Sequence, residues 1–146
     1  MTEAHSTSRP ILLVEDNPAD LDLTRRAFKR RNLVNPLLVA RDGQEALDFL
    51  PGWEAGEPLP LVVLLDLQLP KVHGLEVLRQ YKANPLTQGI PVVVLTTSEE
   101  DADIETAYRL GANSYILKPV DFDKFTLVAS QIELYWCALN KSPARP

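Results

Sequence analysis

Five short apolar runs, each followed by a stretch of helical periodicity, predict a doubly wound α/β fold. Parallel strands need crossover connections, and helical crossovers running both ways along a sheet cover both of its faces. Two observations agree with this. The apolar runs are continuous rather than alternating, as strands buried on both faces must be. The chain has 146 residues, 45% of them hydrophobic, which suits one domain with a sizeable core and no multidomain machine.

Ile11 to Val14 stops abruptly at Glu15 and Asp16 and predicts the first strand. Asp16, Asn17, Pro18 and Asp20 then supply cap residues and a first-turn proline, and Leu21, Thr24 and Phe28 carry a helix as far as Arg31. Leu37 to Val39 predicts the second strand. Beyond Asp42 and Gly43, the spacing of Ala46, Leu47 and Leu50 predicts a short helix ending near Pro51, with Pro51 to Pro60 as a loop. Leu61 to Leu65, ended by Asp66, is the strongest buried-strand pattern. Gly74 to Ala83 reads as a helix with Leu75, Leu78 and Tyr81 facing inward. Val92 to Leu95 is the fourth strand, Glu99 to Leu110 a helix, Tyr115 to Leu117 the fifth strand, and Asp121 to Asn140 a long last helix. The core is therefore expected over 10–140, with 1–9 and 141–146 as flexible extensions.

Composition narrows the function. Fifteen Lys and Arg against 20 Asp and Glu give a formal charge of -5, so no broad basic field invites nucleic acid or anionic lipid. One cysteine, Cys137, excludes an internal disulfide and any zinc site built from several cysteines, and His5 and His73 are too few for most histidine-built centres. Cys137 has no activating base near it in sequence and reads as packing. No run approaches the roughly 20 apolar residues of a membrane helix, and 1–9 lacks the apolar stretch of a secretory signal. A reducing, cytoplasmic setting is expected.

In a doubly wound fold the ligand site lies beyond the carboxyl ends of the strands. Glu15 and Asp16, Asp66, Thr96 and Thr97, and Lys118 and Pro119 occupy those positions. Singly, each has an ordinary reading: Asp16 or Asn17 as a helix cap, Asp66 as a turn residue, Ser98 with Asp101 as a capping box. Together, three carboxylates at one edge repel one another unless they are protonated or hold a cation. With all-oxygen ligands, sparse carboxylates and room for water and a phosphoryl oxygen, that cation is expected to be Mg2+. Mg2+ beside a carboxylate nucleophile points to phosphoryl transfer, with Lys118 neutralising the phosphoryl oxygens and the Thr96 hydroxyl donating to one of them. The product would be an aspartyl phosphate.

These residues resemble the response-regulator receiver domains of two-component signalling over nearly the whole chain. The resemblance rests on Glu15 and Asp16, Asp66 with Pro70 and Gly74 after it, Thr96, Tyr115, and Lys118 with Pro119. It implies a flavodoxin-like sheet in strand order 2-1-3-4-5 and a non-enzymatic signalling domain that assists only its own phosphorylation and dephosphorylation. It assigns Asp66 as phosphoacceptor, with Asp16, Asp66 and the Gln68 backbone carbonyl as direct Mg2+ ligands and Glu15 acting through water. Lys118 would pair with the phosphoryl group, and the Lys118–Pro119 bond is expected to be cis. Thr96 and Tyr115 would form the switch, read out on the face made by the helix after strand four, strand five and the last helix. Gln68 and Ser98, two residues after Asp66 and Thr96, stand where the family sets the lifetime of the phosphoryl group. His73 reads as a solvated loop residue.

In the last helix Phe125, Val128, Ile132, Trp136 and Leu139 form the stripe expected to face the sheet. Leu127, Leu134, Tyr135 and Ala138 form a second apolar stripe, for which a two-fold homodimer is expected. The long helix with Tyr135 and Trp136, the connection from Asn84 to Pro91 and the run Thr96-Thr97-Ser98 resemble small stand-alone regulators of phytochrome-type histidine kinases. The implied partner is a sensor histidine kinase of the bacteriophytochrome kind. Two rivals stand beside this reading. A haloacid-dehalogenase-like phosphatase would need a second acid where Gln68 stands, and a non-phosphorylated receiver-like interaction module would have no use for the full acid, Thr and Lys set.

Overall fold

The computed structural model describes residues 9–143; of the expected extensions 1–9 and 141–146, residues 1–8 and 144–146 lie outside the described residues, whereas Arg9 is half-buried and tied to the fold by its guanidinium donating to the Leu59 and Pro60 carbonyls. Five strands, β1 (Ile11–Val14), β2 (Leu37–Ala40), β3 (Val62–Leu65), β4 (Val92–Thr96) and β5 (Ser114–Leu117), form one parallel sheet in the order β2-β1-β3-β4-β5. β1 pairs with β2 from Ile11 with Leu37 and with β3 from Ile11 with Val62, so these three strands end level, at Ala40, Val14 and Leu65. That shared end brings Glu15 and Asp66, the residues that follow, to one edge. The three inner strands are buried throughout, which is why their sequences are unbroken apolar runs.

Because strand side chains alternate, the sheet separates two cores. Leu12, Val14, Val63, Leu65, Val92 and Val94 face one side, covered by α2 (Gly43–Asp48), α3 (Leu50–Glu54), α4 (Gly74–Ala83) and α5 (Asp101–Arg109). Ile11, Leu13, Val62, Leu64 and Val93 face the other, covered by α1 (Pro18–Arg30) and α6 (Phe122–Ile132). The sequence reading of the fold is thereby met.

Two elements differ from expectation by more than a residue or two. Pro51 does not end the helical region; it sits in the first turn of α3, where its missing N–H would have had no partner in any case. α3 buries Trp53, which stacks on Phe49 and meets the Tyr81 ring edge-on at 5.6 Å. The last helix is α-helical only to Ile132; Glu133–Leu139 is wound as a π-helix, ending with the Asn140 N–H donating to the Tyr135 carbonyl. The wider turn breaks the register of the expected core stripe. Phe125 and Ile132 are buried and Trp136 packs on the core, but Leu139 is turned out to solvent, and Ala129 is buried in the stripe. Leu127, Leu134, Tyr135 and Ala138 are all exposed.

Candidate functional site at the carboxyl ends of the strands

Backbone geometry at the end of β1 is set by Asn17. Its side chain accepts from the Ala19 and Asp20 N–H groups and caps α1, with Pro18 in the first turn. This turns Glu15 back under the loop, where one carboxylate oxygen accepts from the Asn17 N–H at 3.1 Å and the other lies 2.6 Å from the Lys118 ammonium. Asp16 stays exposed at the mouth. After β3, Asp66 is buried and accepts from the Gln68 N–H at 3.3 Å.

Close packing after Asp66 explains the glycine at 74. A Cβ there would stand 2.3 Å from the Asp66 carbonyl oxygen and 2.5 Å from the Leu67 Cα, so only glycine lets the start of α4 close against the loop. His73 is exposed in the loop, and its Nδ1 accepts from the Leu75 N–H and caps α4.

Lys118 enters from β5, its N–H donating to the Thr96 carbonyl at 2.8 Å. Its ammonium reaches Glu15, Asp66 at 3.0 Å and Asp20 at 2.9 Å. The Lys118–Pro119 bond is trans, contrary to the expectation of cis. Trans is the intrinsically preferred form by about 0.5–1 kcal/mol, and it already delivers the ammonium to all three acids. Asp20 was missed in the sequence because a first-turn acid has a sufficient role in stabilising the helix. The available signal was its position four residues after Asp16, on the side of α1 that faces the strand ends.

Thr96 is fully buried beside this cluster, and its hydroxyl oxygen accepts from the Ser98 N–H at 3.4 Å. The Tyr115 hydroxyl donates to the Ser98 carbonyl at 2.9 Å. Ser98 does not form a capping box with Asp101; its hydroxyl donates to Asp103 at 2.6 Å, tying the loop to the first turn of α5. Across the mouth the Thr97 hydroxyl is 3.4 Å from the Gln68 amide oxygen.

Electrostatics follow from crowding. Burial, together with the nearby charge of Asp66, pushes the Glu15 carboxyl up to about 7 against the opposing pull of Lys118. Burial alone would lower Lys118, yet its contacts with Asp20 and Glu15 and the charges of Glu15 and Asp66 raise it above its ordinary value. Carboxylate oxygens of Glu15, Asp16 and Asp66 lie within 4.8 Å of one another, an all-oxygen set that fits a hard divalent cation.

A strand-end aspartate ringed by acids, a buried threonine and a lysine just past the last strand form the arrangement of a receiver. Residues 11–130 match the model of the response regulator receiver domain, and the chain belongs to that family. It is 48% identical over 134 residues to the probable methanogenesis regulatory protein FilR2 of Methanothrix harundinacea, covering 91% of this chain and 86% of that protein. It is 38% identical to response regulator Rcp1 of Synechocystis over 99% of both chains. The Mn2+-bound form of Rcp1 superposes with a TM-score of 0.85 over 93% of this chain and 99% of that one. The phosphorylated cyanobacterial phytochrome response regulator RcpA superposes at 0.87, with 37% identity over 94% and 99% of the two chains. The chain is thus similar to small stand-alone regulators. Among the described residues no helix is long and apolar enough to cross a membrane.

Proposed function

We propose that this receiver accepts a phosphoryl group on Asp66 from the phosphohistidine of a sensor kinase, in the cytoplasm and with Mg2+ as cofactor. The observation that carries this reading is the Asp66 carboxylate buried beside Glu15 and Asp16 with Lys118 at 3.0 Å. An Asp66 oxygen attacks phosphorus, the P–N bond breaks, and its electron pair returns to the imidazole of the kinase. Asp16, Asp66 and the Gln68 carbonyl would hold Mg2+, with Glu15 acting through water; the bound ion supplies positive charge to the phosphoryl oxygens. Lys118 donates to one phosphoryl oxygen and the Thr96 hydroxyl to another. When Thr96 turns toward the phosphoryl group, it gives up the Ser98 N–H, whose carbonyl anchors Tyr115; the switch runs through that one residue.

The chemistry makes the domain a signalling part that assists only its own phosphorylation and dephosphorylation. Likeness to Rcp1 and RcpA supports a phytochrome-type kinase as partner. The exposed stripe of Leu127, Leu134, Tyr135 and Ala138 supports a homodimer, which light scattering at high concentration checks. Gln68 at the mouth is proposed to set phosphoryl lifetime, so Gln68→Ala should change the dephosphorylation rate and leave labelling intact. The deciding experiment is phosphotransfer from a phytochrome kinase and from acetyl phosphate to wild type and Asp66→Asn, with and without Mg2+. Label confined to wild type with Mg2+ is expected; full labelling of the variant would move the acceptor elsewhere. Labelling by acetyl phosphate and not by the phytochrome kinase would reject that partner alone.

A further inference from the structure

Counting donors at Lys118 exposes a conflict. An ammonium carries three N–H groups, and this one faces three carboxylates, at 2.6 Å from Glu15, 2.9 Å from Asp20 and 3.0 Å from Asp66. On phosphorylation Asp66 becomes an acyl phosphate, so the donor it held passes to a phosphoryl oxygen, while Glu15 and Asp20 still pull the ammonium away from it.

The two remaining acids differ in what release costs. The Glu15 side chain is 4% exposed, and a carboxylate stripped of its partner there has little water to turn to. Asp20 is 26% exposed and sits on the first turn of α1, where the helix is capped by Asn17 and not by the Asp20 side chain. Water can replace Lys118 at Asp20 more cheaply than at Glu15. We propose, building on the phosphoacceptor reading of Asp66, that Asp20 is a positioning residue that competes with the phosphoryl group for Lys118 and yields the ammonium on phosphorylation. Asp20 thereby weakens the grip of Lys118 on the phosphoryl oxygens.

Removing Asp20 has two opposed effects, a looser lysine and a freed donor. The second dominates, because the Lys118 side chain is 5% exposed, its backbone is tied to Thr96, and two acids still hold the ammonium.

The test compares wild type, Asp20→Ala, Asp20→Asn and Asp66→Asn, titrated with beryllofluoride at saturating Mg2+ and, separately, with Mg2+ alone, by amide NMR. Asp20→Ala should bind beryllofluoride about threefold to fivefold tighter, the size of a partly exposed ion pair expressed as affinity. Asp20→Asn, which keeps a neutral acceptor, should fall between it and wild type, and it remains decisive if the alanine variant folds poorly. Mg2+ affinity should change less than beryllofluoride affinity. In wild type the amides of Ala19 to Leu21 should shift on beryllofluoride binding, and in Asp66→Asn they should not. Beryllofluoride binding unchanged or weakened in both Asp20 variants would overturn the proposal, as would a loss of Mg2+ affinity as large as that of a direct ligand. Wild type that binds no beryllofluoride would take down the phosphoacceptor reading itself, an outcome distinct from the other two.

Discussion

The two ends of the sheet each hold cationic side chains at least partly buried, in opposite company. At the carboxyl end Lys118 faces carboxylates, and its pKa is raised despite burial. At the amino end the Lys82 ammonium donates to the carbonyls of Gln88 at 3.0 Å and Ile90 at 2.7 Å, while the Arg9 guanidinium donates to those of Leu59 and Pro60. Burial lowers the pKa of both. Carbonyl dipoles satisfy donors without cancelling charge, so the amino end is a clamp on the chain entering β4 and β3. The carboxyl end gathers Glu15, Asp20 and Asp66 on one ammonium with Asp16 beside them, a crowding of acids that a divalent ion would relieve. Similar side chains thus make a staple at one end and the candidate functional site at the other.

The contrast can be broken most directly at Lys118. Lys118→Met should cost about 3–5 kcal/mol in urea unfolding without Mg2+, because buried acids lose their counter-ion, and added Mg2+ should restore more stability than it does to wild type. An unchanged midpoint without Mg2+ would mean the acids do not depend on Lys118. Next in size, Asp16→Asn should weaken Mg2+ binding by about tenfold or more, the scale seen when a ligand or its support is lost, measured by titration calorimetry. Lys82→Met should cost only about 1–2 kcal/mol, since carbonyls near the surface regain water, and it should leave Mg2+ affinity untouched. A loss of Mg2+ affinity in that variant would mean the ends are not independent.

The smallest effect is in alkaline solution. Lys82 has its folded pKa below the ordinary 10.5, so its contribution is present above 10.5 and is lost as pH falls through the folded value. Lys118 has its folded pKa above 10.5, so its contribution is complete below 10.5 and is lost as pH rises through the folded value. Unfolding series between neutral and strongly alkaline pH should therefore lose their rise on the way to 10.5 in Lys82→Met and their fall beyond it in Lys118→Met. Parallel curves for the two variants would contradict the assigned company of the two lysines.

The strands were legible because burial on both faces forces continuous apolar runs, and the site was legible because acids ended those runs. What escaped was set by three-dimensional neighbours. Asp20 looks like any first-turn acid until Lys118 arrives from a residue 98 positions away. Trp53 was hidden because Pro51 reads as a helix end, though proline is equally at home in the first turn of a new helix. His73 offers no cap signature in sequence, since imidazole seldom serves as one. The π-helical winding of Glu133–Leu139 leaves the residue order unchanged and alters only which side chains share a face, so periodicity at 3.6 residues placed Leu139 wrongly.

Arg9 and Pro143, the first and last described residues, line one cavity at the amino end of the sheet, together with Leu59, Leu86 and Ile90. The described chain therefore enters and leaves the fold at the end of the sheet opposite Asp66. A protein held through labels at Arg9 or Pro143 would present its acidic mouth outward.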